Sequence, residues 1–88
     1  MATITITHED TFRQYEGVAR YDHDVIVVPG TYELLDVNPD GAGTARARAL
    51  IDAHRADNGE PTQFWLTIYN YDLEAFAART EHVINLDD

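Results

Sequence analysis

"TARARALIDAHRADNG", Thr44 to Gly59, is the stretch on which the fold turns. Two periodicities compete in it. It is rich in alanine and, beyond Thr44, has one β-branched residue, Ile51. Thr44 stands where an N-cap belongs, and Asn58-Gly59 is a fitting helix stop. These features predict a helix over Thr44 to Asp57. The rival reading takes the alternation Ala45-Arg46-Ala47-Arg48-Ala49 as a strand and "DNGEP" as a hairpin turn. Alanine is a poor strand former, so the helix is the expectation and the strand the alternative.

Working outward, "TQFWLTIYN", Thr62 to Asn70, alternates cleanly. Phe64, Leu66 and Ile68 share one face and Trp65, Thr67 and Tyr69 the other. Bulk on both faces predicts a central strand, or one covered on both sides. Beyond it, Asp72 caps a short helix, "DLEAFAAR", with Leu73, Phe76 and Ala77 inward. His82 to Leu86 reads as a final edge strand. On the N-terminal side, "NPDGAG", Asn38 to Gly43, is a loop.

Val18 to Val28 reads as a strand with Tyr21, His23, Val25 and Val27 on one face. Asp22, Asp24, Ile26 and Val28 take the other. Pro29-Gly30 predicts a turn into a third strand, Thr31 to Val37, in a register that sets Val25 opposite Leu34 and His23 opposite Asp36. A wider loop is the alternative there. Ala2 to Thr7 is a first strand with Ile4 and Ile6 on one face. "THEDTFRQYEG" has capping-box character and helical pair spacings, which predict a short helix, with an extended excursion close behind. The sum is a single α+β domain over residues 1–88. An antiparallel sheet of about four strands carries one main helix; an all-β sandwich or barrel is the alternative.

The 88 residues contain no cysteine, serine or lysine. Disulfides, thiolate metal sites, serine hydrolysis and lysine Schiff bases are thereby excluded. The N-terminal residues lack the basic and apolar regions of a leader, and no apolar run approaches a membrane span, so a cytoplasmic chain is expected. Sixteen acidic residues face six arginines, for a formal charge of -10. Such a charge repels nucleic acid and anionic lipid and attracts basic surfaces. A GC-rich genome or salt adaptation would produce the same composition without a binding role.

No motif carries catalysis. In a strand, Asp22 and Asp24 point away from His23, so "DHD" cannot close on one ion. His8, Glu9 and Asp10 are consecutive and do not turn inward together. His54 and Asp57 lack a further ligand at helical spacing. "DVNPDGAG" alternates Asp36, Asn38 and Asp40 before Gly41, but Ala47 stands where a calcium loop needs its bidentate glutamate. "GAGTARAR" has neither the spacing nor the lysine of a phosphate loop. No catalytic residue, metal or cofactor is therefore expected, and the chain reads as a non-enzyme.

"VPGTYEL", Val28 to Leu34, resembles the strand–Pro-Gly–strand corner of immunoglobulin-like and transthyretin-like sandwiches. As a class, a small, cysteine-free, strongly acidic domain resembles the accessory proteins of phages and archaeal viruses, including anti-defence inhibitors that mimic nucleic-acid charge. That resemblance implies a host-cell location and carries no site. The leading expectation is a binding protein that docks on a protein with a basic surface, without direct nucleic-acid or membrane contact. Its expected partner-binding residues are Asp22, Asp24, Glu33, Asp36, Asp40, Tyr69, Tyr71 and Asp72. The alternatives are a structural or assembly subunit that forms a homo-oligomer, and a ligand or metal module through His23, His54 and His82.

Overall fold

The computed structural model describes residues 1–15, 21–37, 46–69 and 72–86. Buried and exposed residues alternate along Arg46–Arg55, and this ten-residue segment is a strand, β5 in chain order. The helix expected over Thr44 to Asp57 is thus corrected. Alanine's helix preference is worth only tenths of a kcal/mol per residue over most alternatives. Here it is outweighed by nine consecutive antiparallel pairs with Pro61–Tyr69, strand β6. The alanines suit the place they occupy. Ala47 faces Ile68 and Ala49 faces Leu66, so a small side chain lies beside a large one on the buried face. The β5–β6 turn uses Gly59 at φ 72, a left-handed value that glycine adopts without strain. The Asn58 side chain accepts the Glu60 N–H there at 2.9 Å.

The remaining strands are β1 (Thr3–Ile6), β2 (Asp10–Tyr15), β3 (Tyr21–Val27), β4 (Gly30–Glu33) and β7 (Val83–Asn85); α1 covers Leu73–Thr80. They form two antiparallel sheets, β4-β1-β7 and β2-β3-β5-β6. Among the described residues the chain is therefore mostly sheet, with one short helix. The short helix expected in "THEDTFRQYEG" is also corrected, because Asp10–Tyr15 pairs with β3. Its β-branched and aromatic residues, Thr11, Phe12 and Tyr15, prefer that state.

Pro29-Gly30 does not make a hairpin. It carries the chain from β3 in one sheet to β4 in the other. Val28 N–H donates to Asp52 C=O at 2.8 Å, and Leu35 then pairs with Arg48 through two bonds of 2.7 and 3.0 Å. One edge of β5 thus serves both sheets, β3 along its C-terminal half and the chain after β4 along its N-terminal half. The expected His23–Asp36 pair does not form. His23 faces Gln14, and Asp36 binds Arg48.

Between the sheets lie Ile4, Ile6, Val25, Val27, Leu34, Ile51, Phe64, Leu66 and Ile68, closed at one side by Leu73 and Phe76 of α1. Phe12 stacks against both Phe64 and Phe76, with centroids 5.7 and 6.3 Å apart. Asp72 occupies the N-cap position without a side-chain cap bond, and Glu81 ends the helix at φ 64 with its N–H on Ala77 C=O. The strand expected to be central, β6, is an edge. Its Phe64–Leu66–Ile68 face is buried, while Trp65 and Tyr69 look outward. No helix among the described residues is long and apolar enough to cross a membrane.

Candidate functional site

Strand alternation sends the Val25 and Val27 side chains into the core and takes His23 inward with them. At that end of the sheet the apolar packing runs out, and His23 meets the β5–β6 turn. The ring is 9% exposed, and neither nitrogen has a hydrogen-bond partner. Asp22 Oδ2 comes within 2.7 Å of His23 Nδ1, but outside the direction of an N–H bond there. Nε2 has no partner at all, which is costly for a buried imidazole nitrogen. His23 also lines a surface hollow of about 330 Å³ with Asp22, Asp24, Ala56 and Asp57.

Carboxylates crowd this end. Arg55 binds Asp57 through two hydrogen bonds of 3.0 and 2.8 Å. Those bonds hold the Arg55 guanidinium above its ordinary pKa, opposed by desolvation, and the charges of Asp57, Asp22 and Glu60 add to the rise. The same hydrogen bonds hold the Asp57 carboxyl below the usual carboxylate value. Asp24 joins the group through its backbone, whose C=O accepts the Ala56 N–H at 3.0 Å. Asp22, Asp57 and Glu60 thus gather around Arg55, while Asp24 stands opposite Arg13 across the β2–β3 ladder.

The expected partner-binding residues do not form a single patch. Asp22 and Asp24 come together on β3 beside His23. Glu33 ends β4 in the other sheet, and Asp36, just beyond it, is held by Arg48 Nε at 2.6 Å. Asp72 stands exposed at the N-cap position of α1 without making the expected cap bond. Asp40 and Tyr71 lie outside the described residues, as does the expected loop Asn38 to Gly43. Tyr69 ends β6 beneath Arg46, whose guanidinium lies 5.3 Å from the ring centroid and donates to the hydroxyl at 3.3 Å.

Comparison of the chain with known protein families, with curated proteins and with solved structures gives no match. The site is therefore read from its own geometry.

Two features escaped the sequence reading. Trp65 stands 48% exposed beneath Arg48, 4.9 Å from its guanidinium, and Leu50 is its cross-strand neighbour. The bulk of Trp65 had suggested a covered face; alternation alone cannot say which face of an edge strand is covered. The second is a polar group built by the two ends of the chain. His82, in the connection from α1 to β7, is fully buried, and its Nε2 lies 2.9 Å from Asp10 Oδ2. Thr7 N–H donates to His82 Nδ1 at 3.2 Å, which fixes the ring proton on Nε2. Thr7 Oγ1 donates to Glu81 C=O and accepts a hydrogen bond from His8 Nδ1, each at 3.0 Å. The His8 and His82 rings stack with centroids 4.6 Å apart. His23, His54 and His82, expected as one module, stand at different places: His54 pairs with Ile26 and Pro61 on the outward face.

Proposed function

We propose that the chain is a non-enzymatic binding protein whose Asp22–Asp24–Asp57–Glu60 end docks on a basic protein surface. One observation carries the reading: the hollow lined by Asp22, Asp24 and Asp57 also has buried His23, whose Nε2 has no hydrogen-bond partner and whose Nδ1 has the Asp22 carboxylate beside it. A guanidinium or ammonium group entering it would donate to a His23 nitrogen and pair with Asp22 and Asp24, satisfying both at once. The charge of -10 supports the same partner chemistry, since it steers cationic surfaces inward from a distance.

The test is capture from the native host at low ionic strength by three forms of the tagged chain. The reading expects a basic protein bound by wild type and lost by the double variant Asp22→Arg/Asp24→Arg. It expects retention by Glu9→Arg/Glu74→Arg, which changes the net charge equally at another place. Equal capture by both double variants would sink it.

A second reading, a self-assembling subunit, rests on a different observation. The edge strand β6 and its neighbour expose Trp65, Tyr69 and Leu50 together on one outward face. Open strand edges and apolar patches are where copies of a chain join. Native mass spectrometry discriminates: a discrete symmetric oligomer of the chain alone supports assembly, and a monomer supports docking on another protein.

A further inference from the structure

We propose that His8, Asp10 and His82 form a binding site for one divalent transition-metal ion of the Zn²⁺ or Ni²⁺ class. The site is separate from the acidic end and independent of its function. One donor atom from each residue lies within 4.8 Å of the others. Two imidazoles with one carboxylate select Zn²⁺, Ni²⁺ or Cu²⁺ over Mg²⁺ and Ca²⁺, which prefer all-oxygen shells.

The surroundings orient these donors. Thr7 Oγ1 gives its proton to Glu81 C=O at 3.0 Å, so its lone pairs face the two rings. It lies 3.0 Å from His8 Nδ1 and 3.4 Å from His82 Nδ1. In the metal-free state Thr7 N–H donates to His82 Nδ1, so only once the His82 proton has moved there from Nε2 does this hydroxyl accept from both rings and leave both Nε2 atoms free to ligate. Hydrogen-bonded outer partners of this kind are how metal-binding histidines are held in one tautomer. Asp10 is oriented too, because its Oδ1 accepts the Thr11 N–H at 2.9 Å.

Binding needs a proton relocation and a small movement. Without metal, the His82 proton is on Nε2, directed at Asp10. As the ion takes Nε2, the proton goes to Nδ1 and Thr7 Oγ1 accepts it. Asp10 Oδ2, relieved of that proton, becomes a ligand. Thr7 N–H loses its acceptor in the exchange, which holds the affinity to a moderate level. Two donors about 2.1 Å from a tetrahedral ion are about 3.4 Å apart, so the group must contract. His8, exposed on the β1–β2 connection, can tilt out of the stack, while His82 is fixed by burial.

The experiment uses the full chain, stripped with chelator and then titrated with ZnCl₂ or NiCl₂ at neutral pH. The expectation is one-to-one binding by calorimetry and a rise in melting temperature on the order of 10 °C at saturation. His8→Ala, which removes an exposed ring and leaves the metal-free fold intact, should weaken binding at least tenfold. His54→Ala, outside the group, should bind as wild type. Perturbation of the His82 ring signals by NMR on adding metal places the ion. No one-to-one binding up to millimolar metal, or undiminished binding by His8→Ala, overturns the proposal.

Discussion

His82 donates from Nε2 to Asp10 Oδ2 at 2.9 Å across 72 residues of sequence, and thereby ties the connection before β7 to the first residue of β2. The bond joins the two sheets at their shared corner. Its acceptor is part-exposed and its donor has no accessible surface, so the bond lies where water substitutes poorly.

Removing that acceptor strands a buried donor. Asp10→Ala should destabilise the domain by about 1–3 kcal/mol, whereas Asp10→Asn, which keeps an oxygen for the ring proton, should cost less. Urea unfolding followed by Trp65 fluorescence measures both. Equal stability of Asp10→Ala and wild type would refute the role given to the pair.

The strand at Arg46–Arg55 has a two-residue signature that a helix would not share. Ile51→Ala should cost about 2–5 kcal/mol, since Ile51 is wholly buried. Leu50→Ala, one position away on the outward face, should cost under about 1 kcal/mol. Ala49→Leu should overpack the inward face against Leu66 and destabilise by about 1–3 kcal/mol.

Much of this was legible in the sequence, and the reasons for the rest are local. Clean alternation gave the inward faces of Thr3–Ile6, Tyr21–Val27 and Pro61–Tyr69, and Leu73 and Phe76 marked the buried side of α1. The β5 segment misled because alanine and arginine carry strong helix preference, while the force that makes a strand of them belongs to β6. Pro29-Gly30 misled because the pair marks a bend without saying where the chain goes next, and here Gly30 is already the first residue of β4 in the other sheet. Of the site, Asp22 and Asp24 were singled out. The orphaned state of His23 was not, because it depends on a turn more than thirty residues away. His8 and Asp10 stood out as neighbours, but the expectation that they do not turn inward together is corrected, and their third partner, His82, lies 72 residues from Asp10, beyond any spacing rule.

His23 gives a prediction that separates binding from stability. His23→Leu removes two unsatisfied buried nitrogens at similar volume, so the fold should be unchanged or slightly stabilised. Capture of a basic partner should weaken in the same variant. A marked loss of stability would show that the ring has partners the structure does not give it.

Tyr32 sets the alkaline limit. Desolvation raises its hydroxyl above the ordinary value of 10.0, Asp52's charge adds to the rise, and a hydrogen bond involving the Asp52 backbone opposes it. Tyr32 donates to Val28 C=O at 2.7 Å, a bond that ionisation destroys. With the folded pKa above the unfolded one, this contribution is complete below about pH 10. It is lost as pH rises through the folded value. Tyr32→Phe should cost about 1 kcal/mol at neutral pH and flatten that alkaline decline, read from melting temperature against pH.

Asp57 acts in the opposite direction. Its hydrogen bonds to Arg55 depress its pKa, with desolvation opposing and the charges of Arg55 and His23 assisting. The stability it confers is present above the unfolded value and fades as pH falls through the folded one. An NMR titration of the carboxyl carbon should give a midpoint below the ordinary carboxylate range. In Arg55→Gln that midpoint should move upward.

The place of β1 between β4 and β7 has a consequence for synthesis on the ribosome. One side of β1 can pair as soon as β4 emerges, but its other side must wait for Val83–Asn85. A nascent chain therefore carries a half-paired β1 until Val83–Asn85 have emerged, a lure for neighbouring nascent chains. Chaperone dependence of this protein during production should accordingly track elongation speed, and slow codons between those for β4 and β7 would prolong the hazard.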